Sequence, residues 1–158
     1  MTTKHAFTLF ADYFQFYLQD EAASGDLSAA WTPDAVDRLL ALAPGVIGVG
    51  TVRNMDVPVE VEVLSEAPSD DPGVWDRINE CSVTLDSGKA VIAGCTDYFP
   101  DAARLTVAPG VDRARIYYGK LGSVSPDRLE GADHYRIALW LAPEGPLVEL
   151  KSPGVPDT

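Results

Sequence analysis

A mainly β fold is the class that the sequence predicts: a β-sandwich of about eight or nine antiparallel strands with one short helix, or a partly open β-barrel as the alternative. Three observations predict it. Val57, Val59, Val61 and Val63 alternate with Pro58, Glu60, Glu62 and Leu64, the period of a strand with one buried face. Phe14, Phe16 and Leu18 alternate in the same way with Tyr13, Gln15, Tyr17 and Gln19. Short apolar runs then recur along the chain between Gly, Pro and Asp, and only one segment has helical spacing. The 158 residues, 46% hydrophobic and 23% charged, suit a single globular domain. That domain is expected over 1–151, with 152–158 as a flexible tail holding two prolines and a glycine.

Residues 5–10 and 12–20 read as extended, and 21–30 as a loop of small and polar residues. A helix is expected over 32–43. Thr32 can cap it, Pro33 suits the first helical position, and Asp34 suits the positive end. Val36, Leu39, Leu40 and Ala43 would share its apolar face, and Pro44-Gly45 would stop it. A strand over 46–52 and a turn over 53–56 precede the valine strand; a loop rich in Pro and Asp follows over 67–73. Further strands are expected at about 79–86, 88–95, 103–108, 111–119, 133–142 and 146–151, with a polar connection over 120–132. The first two of these form an expected hairpin centred on Ser87-Gly88, and the next two are joined at Ala108-Pro109-Gly110. In the first hairpin Cys81 would face Gly94 and Cys95 would face Glu80. The two sulfurs would then lie on opposite faces, so these cysteines are expected to be reduced.

Charge narrows the function classes. The chain carries 24 acidic and 12 basic residues, a net charge of −12. Residues 1–76 hold 13 acidic residues against Lys4, Arg38 and Arg53 alone, whereas 77–158 are nearly balanced. Direct binding to nucleic acid or to an anionic membrane needs a basic surface, so neither is expected. The charge favours a basic protein partner, or nothing more than solubility. No run approaches the roughly 20 apolar residues of a membrane span, and residues 1–5 lack the basic and apolar regions of a signal peptide. A cytoplasmic location is the expectation.

There is no Gly-x-Ser-x-Gly elbow and no phosphate loop ending in Gly-Lys-Ser or Gly-Lys-Thr. Gly45, Gly48 and Gly50 are in the wrong order for a dinucleotide fingerprint and suit close packing or a bulge. Cys95 with His134 is a conceivable nucleophile pair, but two cysteines and the scattered His5 and His134 make no zinc motif. Asp97 with Asp101, and Asp70-Asp71, could bind calcium or serve acid–base work, but read better as solvated turns. No catalytic residue, metal or cofactor is assigned.

Two acidic tracts remain, one over 6–37 and one over 54–76, neither containing a Lys or Arg. Glu60 and Glu62 share one strand face. Asp20, Glu21, Asp56, Glu60 and Glu62 are the candidate partner-binding residues of a field that attracts a cationic protein, a solvated face being the default alternative. A second reading is a small-molecule site. His134, Arg136 and Trp140 share strand parity, and Tyr98 and Phe99 could join them. A third reading is self-association, in which the apolar strands at 7–18 and 133–142 build a homodimer sheet.

Several segments resemble a known family. They are Phe14-Gln15-Phe16-Tyr17-Leu18-Gln19-Asp20, Trp31-Thr32-Pro33-Asp34-Ala35, Ala43-Pro44-Gly45-Val46-Ile47 and Arg53-Asn54. Further on come Leu105-Thr106-Val107-Ala108-Pro109-Gly110 with Arg115-Ile116-Tyr117-Tyr118, and then Asp133 to Leu139. In order and spacing they resemble the competence protein J family of nuclease inhibitors, with extra material between 65 and 100. The resemblance covers about two thirds of the chain and implies a shared fold more strongly than a shared function. It also implies a mechanism, in which an acidic surface covers the basic DNA cleft of a nuclease. No active residues are carried across.

Overall fold

The alternating runs become strands whose inner residues meet between two sheets. A computed structural model describes residues 2–23, 25–69 and 72–152. Its strands are β1 (Thr3–Phe10), β2 (Gln15–Asp20), β3 (Leu40–Ala43), β4 (Val46–Gly50), β5 (Asp56–Leu64), β6 (Arg77–Leu85), β7 (Lys89–Gly94), β8 (Ala103–Thr106), β9 (Gly110–Gly119), β10 (His134–Leu141) and β11 (Val148–Lys151), with one α-helix, α1 (Pro33–Arg38). The six-stranded sheet has the order β1-β5-β10-β9-β6-β11 and the five-stranded sheet the order β3-β4-β2-β7-β8. This is a β-sandwich, and neither sheet closes into a barrel. Phe16, Leu18, Ile47, Val49 and Ile92 of one sheet pack against Val57, Val59, Val61, Ile116 and Ile137 of the other. Tyr135 stands at the centre of the core, edge-on to Phe16 at 5.9 Å and to Tyr118 at 6.0 Å.

The structure corrects the expected strand list in three ways. There are eleven strands among the described residues, not eight or nine, and β10 runs parallel to β5. The helix expected over 32–43 ends at Arg38, because Leu39 turns left-handed at φ +62°. Leu40–Ala43 then pairs with β4 around Gly45, itself at φ +71°. A run with apolar residues at nearly every position satisfies helix and strand spacing alike, and pairing with a neighbour decides between them. The third correction concerns connections. β6 and β7 do not form a hairpin, and neither do β8 and β9: β6 pairs with β9, while β7 pairs with β2 and β8. The chain crosses between sheets at Ser87-Gly88, where Gly88 takes φ +73°, and crosses back after β8.

β10 lies between β5 and β9, and β2 between β4 and β7, so both strands have both edges paired. The dimer sheet expected from 133–142 is therefore closed to that strand. Cys81 is fully buried in the core, Cys95 lies just beyond β7, and the two are unbridged. Burial pushes the Cys81 thiol up to about 12. In the folded protein, one of the two thiols is expected to react with a disulfide reagent at about pH 8, and both after denaturation. Rapid labelling of both in native buffer would contradict the buried placement. The tail reading beyond Ser152 and the Asp70-Asp71 reading lie outside the described residues. No described helix is long and apolar enough to cross a membrane.

Candidate functional site

Glu60 and Glu62 of the acidic set meet His134, Arg136 and Trp140 on the outer face of the six-stranded sheet. The parallel register places Arg136 opposite Glu60 and Ala138 opposite Glu62. Arg136 Nε lies 2.8 Å from Glu62 and 3.8 Å from Glu60, and Lys4 Nζ lies 3.5 Å from Glu60. The acidic stripe lacks cations within its own tract but receives them from β1 and β10. Glu62 keeps only 12% side-chain exposure. The rest of the face is a tight mosaic. Arg136 sits 4.6 Å above the Tyr117 ring, and Arg115 sits 5.4 Å from the Trp140 ring with Nε 2.9 Å from Glu80. Pro68 and Trp75, which precede β6, reach this face. Trp75 packs 5.0 Å from His134 and 5.1 Å from Tyr117, and Arg115 donates to the Pro68 carbonyl. His134, Arg136 and Trp140 do share a face, as their parity predicts, and that face is covered.

The other named residues are scattered. Asp20 is only 5% exposed and accepts from the Ser87 N–H at 3.0 Å and from the Ser87 hydroxyl at 2.6 Å, locking the crossing turn. Glu21 pairs with Arg104 at 2.7 Å. Asp56 is exposed opposite Phe10. Cys95 follows β7 of the five-stranded sheet while His134 opens β10 of the six-stranded sheet, and they do not meet. Asp97 accepts from the Gly94 N–H at 2.7 Å, and Tyr98 stands 70% exposed beside Phe99. Among the described residues, no group of three or more His, Cys, Asp or Glu is arranged to hold a metal.

A concave surface that the sequence did not point to lies on the outer face of the five-stranded sheet. Its walls are built by glycines. A Cβ on Gly48 would stand 2.7 Å from Leu27 and 3.0 Å from Trp31, and one on Gly50 would stand 3.0 Å from the Leu39 backbone. Their absence lets the 25–31 segment and Leu39 lie close on the sheet. Trp31 donates from Nε1 to Gln15 Oε1 at 3.1 Å, and Thr32 caps α1 by accepting from the Ala35 N–H at 3.2 Å. Trp31 and Gln15 form a ridge between two depressions. One, of 450 Å³, is lined by Tyr13, Phe14, Val36, Leu39 and Thr51. The other, of 370 Å³, runs over Tyr17 and Gln19 towards Asp26 and Leu27.

The first depression has an unusual backbone. Tyr13, Phe14 and Leu39 have φ of +58°, +60° and +62°, three of the five non-glycine residues with positive φ among those described. Each such residue costs about 1–3 kcal/mol and persists only where its surroundings hold it. Here Thr51 N–H donates to the Phe14 carbonyl at 2.9 Å, Gly50 N–H to the Leu39 carbonyl at 2.9 Å, and the Tyr118 hydroxyl to the same carbonyl at 2.6 Å. The result presents apolar groups to solvent: Tyr13 is 68% exposed, Val36 54% and Phe14 41%.

Beneath it runs a buried polar network. Asp133 is fully buried, with Oδ2 accepting from the Tyr135 hydroxyl at 2.6 Å and Oδ1 lying 2.9 Å from Arg53 Nε. The Val52 N–H donates to the Tyr135 oxygen at 3.0 Å. Arg53 Nη2 also donates to the Asp133 carbonyl at 3.2 Å, so two residues 80 apart in sequence are tied together near Thr51.

Fold and surface together define a two-sheet β-sandwich with an open, largely apolar concavity on its five-stranded side. No protein-family model matches the chain, and no curated protein matches it. Among solved structures it is similar to the crystal structure of ComJ from Bacillus subtilis, an inhibitor of the DNA-degrading activity of NucA. The TM-score is 0.70 at 15% identity, over 90% of this chain and 99% of that one. It is also similar to the structure titled crocagin biosynthetic gene J, with a TM-score of 0.55 at 18% identity over 89% and 96% of the two chains. At these identities the likeness is one of fold, and at that level the resemblance read from the sequence motifs is met.

Proposed function

We propose that this chain is a non-catalytic protein-binding module that inhibits a basic partner, a DNA-degrading nuclease, acting in the cytoplasm beside it. The observation that carries this reading is the end-to-end likeness to ComJ, which spans 99% of that inhibitor. The net charge of −12 supports it. A nuclease holds DNA through cations, and an acidic protein is drawn to the same surface and competes for it. Of the five acidic residues first considered, Asp56 is exposed and outside the described ion pairs. Glu21, Glu60 and Glu62 would have to exchange an internal cation for the partner's, and Asp20 would have to leave its turn.

The test is degradation of linear DNA by an extract of the source organism, with purified chain added. Inhibition that saturates with added chain and weakens as salt rises is expected, since an electrostatic complex is screened over about 8–10 Å at physiological ionic strength. Undiminished degradation with the chain in large excess would sink the proposal.

A further inference from the structure

We infer that the partner docks on the five-stranded side, seating an apolar side chain in the 450 Å³ depression while its lysines or arginines meet the acids on the adjoining surface. The inference rests on the proposed function for the partner's identity as a basic protein, and adds where it binds and through what.

The six-stranded face is a poor candidate. Its carboxylates Glu60, Glu62 and Glu80 are already paired with Lys4, Arg113, Arg115 and Arg136, and Trp75 packs on Tyr117 and His134. The opposite side has the reverse character. Asp12 immediately precedes Tyr13, Asp26 borders the neighbouring depression, and Asp34 and Asp37 lie beside Val36 in α1, where they line a separate depression with Arg38 and Arg77. None of these four carboxylates takes part in an ion pair among the described residues. Asp26 is fixed by the Ser28 N–H at 2.8 Å. The nearest cations in sequence are turned to other work: Arg38 Nε donates to the Leu40 carbonyl, and Arg53 pairs with Asp133. A depression with apolar walls and acids on the adjoining surface complements a basic surface bearing a protruding aromatic or aliphatic group. Protein interfaces commonly take this form, with an apolar anchor in a pocket and charges at the edge.

The strained Tyr13-Phe14 pair adds a second argument. A glycine at either position would be cheaper for the backbone, and neither ring contributes a fully buried surface to the core. Rings held outward at a backbone cost suit contact with something other than the chain itself.

The same DNA-degradation assay separates this inference from the reading beneath it. Three variants are titrated beside the parent chain: Val36→Lys, Tyr13→Gly and Glu60→Gln. Val36→Lys and Tyr13→Gly are expected to raise the concentration for half-inhibition by about tenfold or more, with Glu60→Gln close to the parent. The thermal midpoint of Tyr13→Gly should be equal or higher, because glycine relieves the positive φ, so its loss of inhibition cannot be laid to unfolding. If both groove variants inhibit within about twofold of the parent, or if only Glu60→Gln fails, the partner docks elsewhere and the inference falls while the inhibitor reading stands. If the parent chain itself inhibits nothing, both fall.

Discussion

Asp133→Ala is expected to lower the unfolding free energy by about 3–5 kcal/mol, the usual cost of removing one partner from a buried charge pair. Asp133 is fully buried, and the side chain of its partner Arg53 is only 13% exposed. Alanine would leave the guanidinium without its counter-charge and the Tyr135 hydroxyl without its acceptor. The 2.9 Å contact between Arg53 Nε and Asp133 Oδ1 is a charge contact without hydrogen-bond alignment, so much of its worth is Coulombic. Asp133→Asn, which keeps an acceptor for Tyr135, should lose less. The urea midpoint of each variant measures this directly. A loss under about 1 kcal/mol for Asp133→Ala would mean that water replaces the carboxylate, and that the network is not what holds the turn beside Thr51.

Asp112→Asn should do the opposite. Asp112 sits on β9 opposite Val83 and Leu141, only 2% exposed, and its Oδ1 has no partner. Burial pushes its carboxyl up to about 6 from the usual 3.8. The folded state therefore holds this proton more tightly than the unfolded chain. The group's contribution to stability is full below about pH 4, falls as pH rises towards about 6, and is lost above it, at about 1–3 kcal/mol. Most native carboxylates behave in the reverse sense. Asparagine carries no charge to desolvate, so the variant should be more stable than the parent at about pH 7.5 and nearly equal to it at about pH 4. Denaturant midpoints at the two pH values decide the matter. A variant less stable at the higher pH would show that the buried carboxylate has a partner it depends on.

What could be read beforehand divides along local and long-range lines. The valine alternation of β5, the Phe16 and Leu18 face of β2 and the Thr32-Pro33 start of α1 depend on neighbours within a few residues, and each is found in place. The pairing of Arg136 with Glu62 depends on a parallel register between segments 74 residues apart, which no local pattern announces. The sheet crossings at Ser87-Gly88 and after β8 were hidden for the same reason. The concavity left one trace that was missed. Inward residues are odd-numbered in β1, such as Leu9, and even-numbered in β2, such as Phe16. A change of phase within one apparently continuous extended run requires a bend between them. That bend is the Asp12–Phe14 turn, which aims Tyr13 outward.

The place of β10 also governs the order in which the molecule can be completed during synthesis. Every strand of the five-stranded sheet is made by residue 106, so that half can assemble early. The six-stranded sheet cannot. Until residues 134–141 leave the ribosome, it exists as two separate pieces, β1 with β5 and β9 with β6, each with an open edge waiting for the same strand. Non-local closure of this kind is slow, and open edges invite pairing with other chains. A nascent chain stalled before β10 is therefore a half-finished sandwich whose β5 and β9 edges both lie open, and β10 seals the two at once.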